Sequence, residues 1–139
     1  MTDHNIAPHV SDIEPLLTQL NIAPTAVRHD LLRLALVDIS SSATTNNEKL
    51  EFLGDAALRL AAAEFLMETY PEMALGDMSA VRSQIVSDRI LATLAKEYHL
   101  SRYLVFSRSA AGDKAGRASR LADAFEALLG APLTSAGNL

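Results

Sequence analysis

Apolar residues recur at three- and four-residue steps through most of this chain, and no stretch alternates with period two for long. That periodicity selects helices, and the expected fold class is all-α. A length of 139 residues is about one domain. Ser11 is placed to cap a first helix through Leu16, Leu17 and Leu20, and Pro24 with Thr25 to open a second through Val27, Leu31, Leu32, Leu34 and Leu36. The polar run from Ser40 to Asn47 is a loop, and Asn47 caps a long third helix that ends near Tyr70, because Pro71 disfavours a helical residue before it. Gly76 and Asp77 start a fourth helix, Ser87 with Asp88 caps a fifth, and Ser119 caps a last one from Leu121 to Ala131. Between them Ser107 to Ser119, made of Ala, Gly, Ser and basic residues, reads as a flexible loop. The expected organisation is a domain over 11–131 with tails over 1–10 and 132–139.

Composition removes several kinds of chemistry. With no cysteine there are no disulfides, thiolate metal sites or cysteine nucleophiles. No apolar run approaches the roughly 18 residues of a membrane span, and the N-terminus lacks a signal-peptide pattern, so no membrane partner and a cytoplasmic location are expected. A net charge of −5 argues against holding nucleic acid by bulk electrostatics. Yet Arg102, Arg108, Lys114, Arg117 and Arg120 stand against the lone Asp113 between Ser101 and Arg120, a basic segment inside an acidic chain. Of the four histidines, His4 and His9 fall in the tail while His29 and His99 sit near helix ends, so spacing pairs none of them for general acid–base work.

The acids are patterned. On a helix turning about 100° per residue, Glu48, Glu51 and Asp55 share an arc of roughly 60°, with Phe52 at its edge and Leu50, Leu53 and Ala57 opposite. Asp123 and Glu126 repeat the arrangement among Leu121, Phe125, Leu128 and Leu129. A merely solvated face is broad and mixed in sign; these stripes are narrow, purely acidic and bordered by residues that want burial. Partial burial raises carboxylate pKa values unless a cation offsets the repulsion, and oxygen-only donors suit Mg²⁺ or Mn²⁺. The corresponding reaction class is metal-assisted phosphodiester hydrolysis. A di-iron carboxylate bundle needs Glu-x-x-His pairs, and Glu48, Glu51 and Glu126 have no histidine three residues on.

Asn47-Glu48-Lys49-Leu50-Glu51-Phe52-Leu53-Gly54-Asp55-Ala56 closely resembles the signature of the ribonuclease III endonuclease domain. Leu121-Ala122-Asp123-Ala124-Phe125-Glu126-Ala127-Leu128-Leu129-Gly130-Ala131 is similar to that family's second acidic motif, and Met78 to Arg82 and Ile85 to Arg89 look like its middle helices. The resemblance covers roughly Ile13 to Ala131. It implies a homodimeric endonuclease that cuts double-stranded RNA with Mg²⁺, leaving 5′-phosphate and 3′-hydroxyl ends. Carried over by motif position, Glu51, Asp55, Asp123 and Glu126 are the metal-site carboxylates, Asp55 and Glu126 the catalytic pair, and Glu48 an accessory acid. Phe52 is a dimer contact by resemblance and ordinary core on residue type alone. Gly54, costly inside a helix, permits close approach of another helix, its symmetry mate included.

The match has departures. Ala35-Leu36-Val37-Asp38-Ile39-Ser40 stands where the family usually has Ala-Leu-Thr-His-x-Ser, and Leu75 stands where many members carry an acid. The chain reaches Leu139 without the further helix or the double-stranded-RNA-binding domain that the resemblance leads one to expect, which reads as a domain shortened at its C-terminus. RNA affinity then falls to the basic residues from Arg102 to Arg120 or to a partner protein, the solvated-loop reading of that segment standing beside it. The same features admit a noncatalytic RNA-binding or assembly subunit.

Overall fold

The computed structural model describes residues 10–23, 25 and 28–134. Among them the α-helices are α1 (Val10–Gln19), α2 (His29–Ala35), α3 (Glu48–Thr69), α4 (Leu75–Ile85), α5 (Asp88–Glu97), α6 (Arg108–Ala111) and α7 (Arg117–Gly130), with short 3-10 turns at Leu100–Arg102 and Ala131–Leu133. The described residues contain no strand; a single parallel bridge pairs Val37 with Val105, so the all-α reading holds. No helix among them is long and apolar enough to cross a membrane. The expected tails lie outside the described residues over 1–9 and 135–139, as do Pro24 and Val27.

The core is organised around α7, which buries Leu121, Ala122, Ala124, Phe125, Ala127 and Leu128 and packs against α3 and α5. Around it, α1 contributes Ile13, Leu16 and Leu17, α2 contributes Leu31, Leu32 and Ala35, and α5 contributes Leu91, Ala92 and Ala95. Each large side chain so buried stabilises the fold by about 1.5–3 kcal/mol. Tyr98, just beyond α5, stacks on Phe125 at a centroid distance of 6.2 Å.

Two glycines let α3 and α7 touch backbone to backbone. A Cβ on Gly54 would lie 1.7 Å from the carbonyl oxygen of Glu126, and one on Gly130 would lie 2.2 Å from the carbonyl oxygen of Leu50. The close approach expected at Gly54 is therefore made within the chain, by α7, and not by a symmetry mate.

Several boundaries differ from those read in the sequence. Helix α1 already includes Ser11, and α2 begins only at His29, after an extended Arg28 whose guanidinium pairs with Asp30 in the first turn. Asn47 makes no side-chain cap for α3. It is 3% exposed and spends its amide on the carbonyl of Ala35 at 3.1 Å, while Asn46 accepts from the Glu48 amide at 3.0 Å. Ser87 does cap α5, accepting from the Ile90 amide. The stretch 107–119 is built structure. Ser40 Oγ accepts from the Ser107 amide, Ser107 Oγ caps α6 at Ala110, and the Arg120 guanidinium donates to the carbonyls of Ala110 and Asp113 at 2.6 and 2.7 Å. Asp113 accepts from the Gly116 amide, and α7 starts at Arg117, leaving Ser119 inside the helix.

Asp38, unexplained by the resemblance, is 6% exposed and accepts from the Ser40 amide, while its own amide donates to Val105. It holds the turn that joins the end of α2 to the bridge at Val105. Helix α4, by contrast, buries no residue and packs along the C-terminal half of α3 and against α5.

The glycine contact yields a stability prediction. Gly54→Ala forces a methyl into the Glu126 carbonyl, and backbone on both sides leaves nothing flexible to yield. Thermal denaturation followed by circular dichroism should show a loss of about 3 kcal/mol or more, on the order of 10 °C in Tm.

Candidate active site

Turning α3 so that Gly54 meets α7 also turns its acidic stripe toward the acids of α7. Glu48, Glu51, Phe52, Asp55 and Arg59 from α3, Val86 at the C-terminal end of α4, Asp88 at the start of α5, and Asp123 and Glu126 from α7 line one open valley of about 480 Å³. All four carboxylates expected at a metal site, and the accessory Glu48, thus face the same space. Glu48 is exposed, Glu51, Asp55 and Asp123 are half-buried, and Glu126 is only 6% exposed.

The electrostatics are those of crowded like charges partly removed from water. Glu126 is pushed up to about 7, first by burial and then by the charges of Asp55, Glu51, Asp123 and Asp88. Glu51 is raised to about 7, chiefly by burial, then by the charge of Asp123 and the hydrogen bond it shares with that residue, and also by Glu48 and Asp88. Asp123 rises to about 6 through burial and the charges of Asp88 and Asp38, while its hydrogen bond with Glu51 opposes the rise. Burial first, and the neighbouring negative charges after it, carry the titration of these groups up toward neutral pH. Among the described residues no three His, Asp or Glu side chains converge into a ready-made metal cage. The donors line the valley without closing on one point.

Two valley residues escaped the sequence reading. Asp88 reads in the sequence as part of the α5 cap, yet its charge acts on Glu51, Asp123 and Glu126. Arg59 means the α3 stripe is not purely acidic: its Nε donates to both carboxylate oxygens of Asp55, at 3.1 and 3.2 Å. The signal was available, since a residue four beyond Asp55 falls on the same helix face. Phe52 is 82% exposed, which overturns core packing as its role in this chain.

The basic candidates lie elsewhere. Arg102, Arg108, Lys114 and Arg117 are exposed and none lines the valley. Arg120 is engaged internally, donating to Ala110 and Asp113, and is a structural cation rather than an open phosphate contact. Of the histidines within the described residues, His29 opens α2 and His99 takes a left-handed conformation after α5; neither reaches the valley.

The all-helical domain is shared with known proteins. The family model described as the ribonuclease III domain matches residues 48–137, and the chain belongs to the ribonuclease III family. It is 52% identical over 128 residues to "Ribonuclease 3 2" of a Nostoc species, covering 91% of this chain and 53% of that protein. To "Ribonuclease 3" of Gloeobacter violaceus it is 52% identical over 119 residues, covering 84% of this chain and 49% of the relative. The chain thus spans about half the length of the curated relatives it matches. The solved nuclease domain of ribonuclease III from Campylobacter jejuni superimposes with a TM-score of 0.79 at 35% identity, over 86% of this chain and 82% of that one. That structure is described as showing flexibility in a region involved in dimer formation.

The raised carboxyl groups make stability depend on pH in a fixed direction. Between the ordinary glutamate value of 4.5 and about 7, Glu51 and Glu126 bind more protons folded than unfolded, so raising the pH through that window lowers the stability of the metal-free protein. Glu126→Gln removes one such group. It should stabilise the metal-free protein at pH 8 by about 1–2 kcal/mol and change it little near pH 4.5, as measured by urea denaturation at the two pH values.

Proposed function

We propose that this chain is a divalent-metal-dependent endoribonuclease acting on double-stranded or structured RNA as a homodimer, leaving 5′-phosphate and 3′-hydroxyl ends. The observation that carries this reading is the valley, where six carboxylates from three helices meet and three of them are driven toward protonation. Oxygen-only donors whose mutual repulsion is only partly offset fit a hard cation, and Glu51, Asp55, Asp123 and Glu126 would hold Mg²⁺, or Mn²⁺ in its place. When bound, such an ion neutralises phosphodiester charge and lowers the pKa of coordinated water. Asp55 and Glu126, on opposite sides of the Gly54 contact, are the pair assigned to catalysis; Glu48 at the exposed rim adds charge that favours cation entry. Donor carboxylates must be deprotonated, so the affinity of the metal-free protein for the cation should rise with pH through the range of about 6 to 7, read by Mn²⁺ titration across that range.

Arg102, Arg108, Lys114 and Arg117 are proposed contacts to RNA phosphates, carried on the anchored 100–120 segment. The dimer reading is supported by an apolar face that the rest of the described chain does not cover. Phe52, Leu60 and Met67 on α3 and Leu75 and Val81 on α4 are exposed, and a groove of about 290 Å³ runs between the two helices beside Met67, Leu75 and Met78. A helix of 11 residues with nothing buried is marginal in water without further packing.

Cleavage of an end-labelled RNA duplex at low salt tests the activity. Mg²⁺-dependent products that vanish with EDTA and fall at least about 100-fold in Glu126→Gln are expected. Binding of the duplex by a folded protein without any cleavage would replace the enzyme by a noncatalytic RNA-binding subunit. For the dimer, Phe52→Ala should weaken self-association by about 30-fold or more in Kd, read by light scattering over a dilution series.

A further inference from the structure

Arg59 is the one cation among the residues lining the valley, and it is seated on a carboxylate assigned to catalysis. Its Nε reaches both oxygens of Asp55, at 3.1 and 3.2 Å. The pair is local. Four residues along one helix, with the acid on the N-terminal side, is the favoured order for such an ion pair, so the guanidinium returns to Asp55 without long-range support. Both side chains are about half exposed, which makes the pair weak and exchangeable.

We propose that Arg59 is a built-in counter-ion that competes with a divalent cation for Asp55 and must release that carboxylate when the valley loads. The inference rests on the metal-dependent reading of the valley. The physical reason is charge: a cation approaching the Asp55 oxygens meets a positive group already on them, whereas Glu48, Glu51, Asp123 and Glu126 offer only attraction. Arg59 is therefore a positioning residue acting through Asp55. It offsets repulsion in the metal-free valley and sets a threshold for cation occupancy.

The test is direct Mn²⁺ binding, followed by the electron paramagnetic resonance signal of free Mn²⁺, at pH 8.5 and low ionic strength. Wild type, Arg59→Gln and Arg59→Lys are compared, each checked for helicity; glutamine and lysine are both good helix formers, so α3 should persist. Arg59→Gln should bind Mn²⁺ about threefold tighter or more, Arg59→Lys should stay within about twofold of wild type, and the gap should shrink at high salt. Equal or weaker Mn²⁺ binding by Arg59→Gln overturns the role of Arg59 while leaving the metal site standing. Folded wild type and Arg59→Gln that both fail to bind Mn²⁺ overturn the metal-dependent reading, and the inference with it.

Discussion

The contact on which the rest of this structure depends is the touch between the backbones of α3 and α7, where Gly54 meets the Glu126 carbonyl and Gly130 meets that of Leu50. Any side chain at either glycine would part the helices. The crossing falls between Glu51 and Asp55 on one helix and beside Glu126 on the other, so the same separation sets the packing of the core and the width of the valley. In this chain glycine stands beside acid on both helices, so the close backbone approach brings the carboxylates of α3 and α7 nearer to one another than an ordinary helix spacing would.

That arrangement sets stability against function. Burial of Leu50, Leu121, Phe125 and Leu128 favours the crossing, while it brings Glu51, Asp123 and Glu126 into mutual repulsion in a partly dehydrated place. Total stabilities of about 5–15 kcal/mol leave limited room for such conflict. Several raised carboxyl groups where glutamine would relieve the strain are a cost to the fold, as expected of a functional site. The conflict is eased locally, by the hydrogen bond between Glu51 and Asp123 and by Arg59 on Asp55.

The two helices that carry the site were legible because long amphipathic stretches announce their period and their acids stood in register with it. What escaped was whatever depended on contacts distant in sequence. Asn47 looked like a cap, but burial against Ala35 recruited its amide and passed the task to Asn46. Asp88 looked local to α5 until α5 packed beside α7 and turned it into a valley acid. The basic loop looked flexible because Ala and Gly carry no period, yet one guanidinium donating to two carbonyls organises it. Counting Arg120 as a phosphate contact treated charge as availability; a cation whose donors are engaged inside the fold contributes field but little direct contact.

Helix α3 shows why one element can limit several properties at once. Of its 22 residues only Leu50, Gly54, Ala62 and Leu66 are buried, so most of its circumference is free to serve surfaces other than the core. One face carries the acids and Arg59, and farther along the helix Ala63, Leu66 and Met67 line the groove against α4. Phe52 is an exposed aromatic beside Glu51 that lines the valley. Whatever covers Phe52 therefore builds one wall of the acidic site. Apolar burial at that face and the reach of the carboxylates into the valley are consequences of a single helical register, and a change that rotates α3 would alter both together.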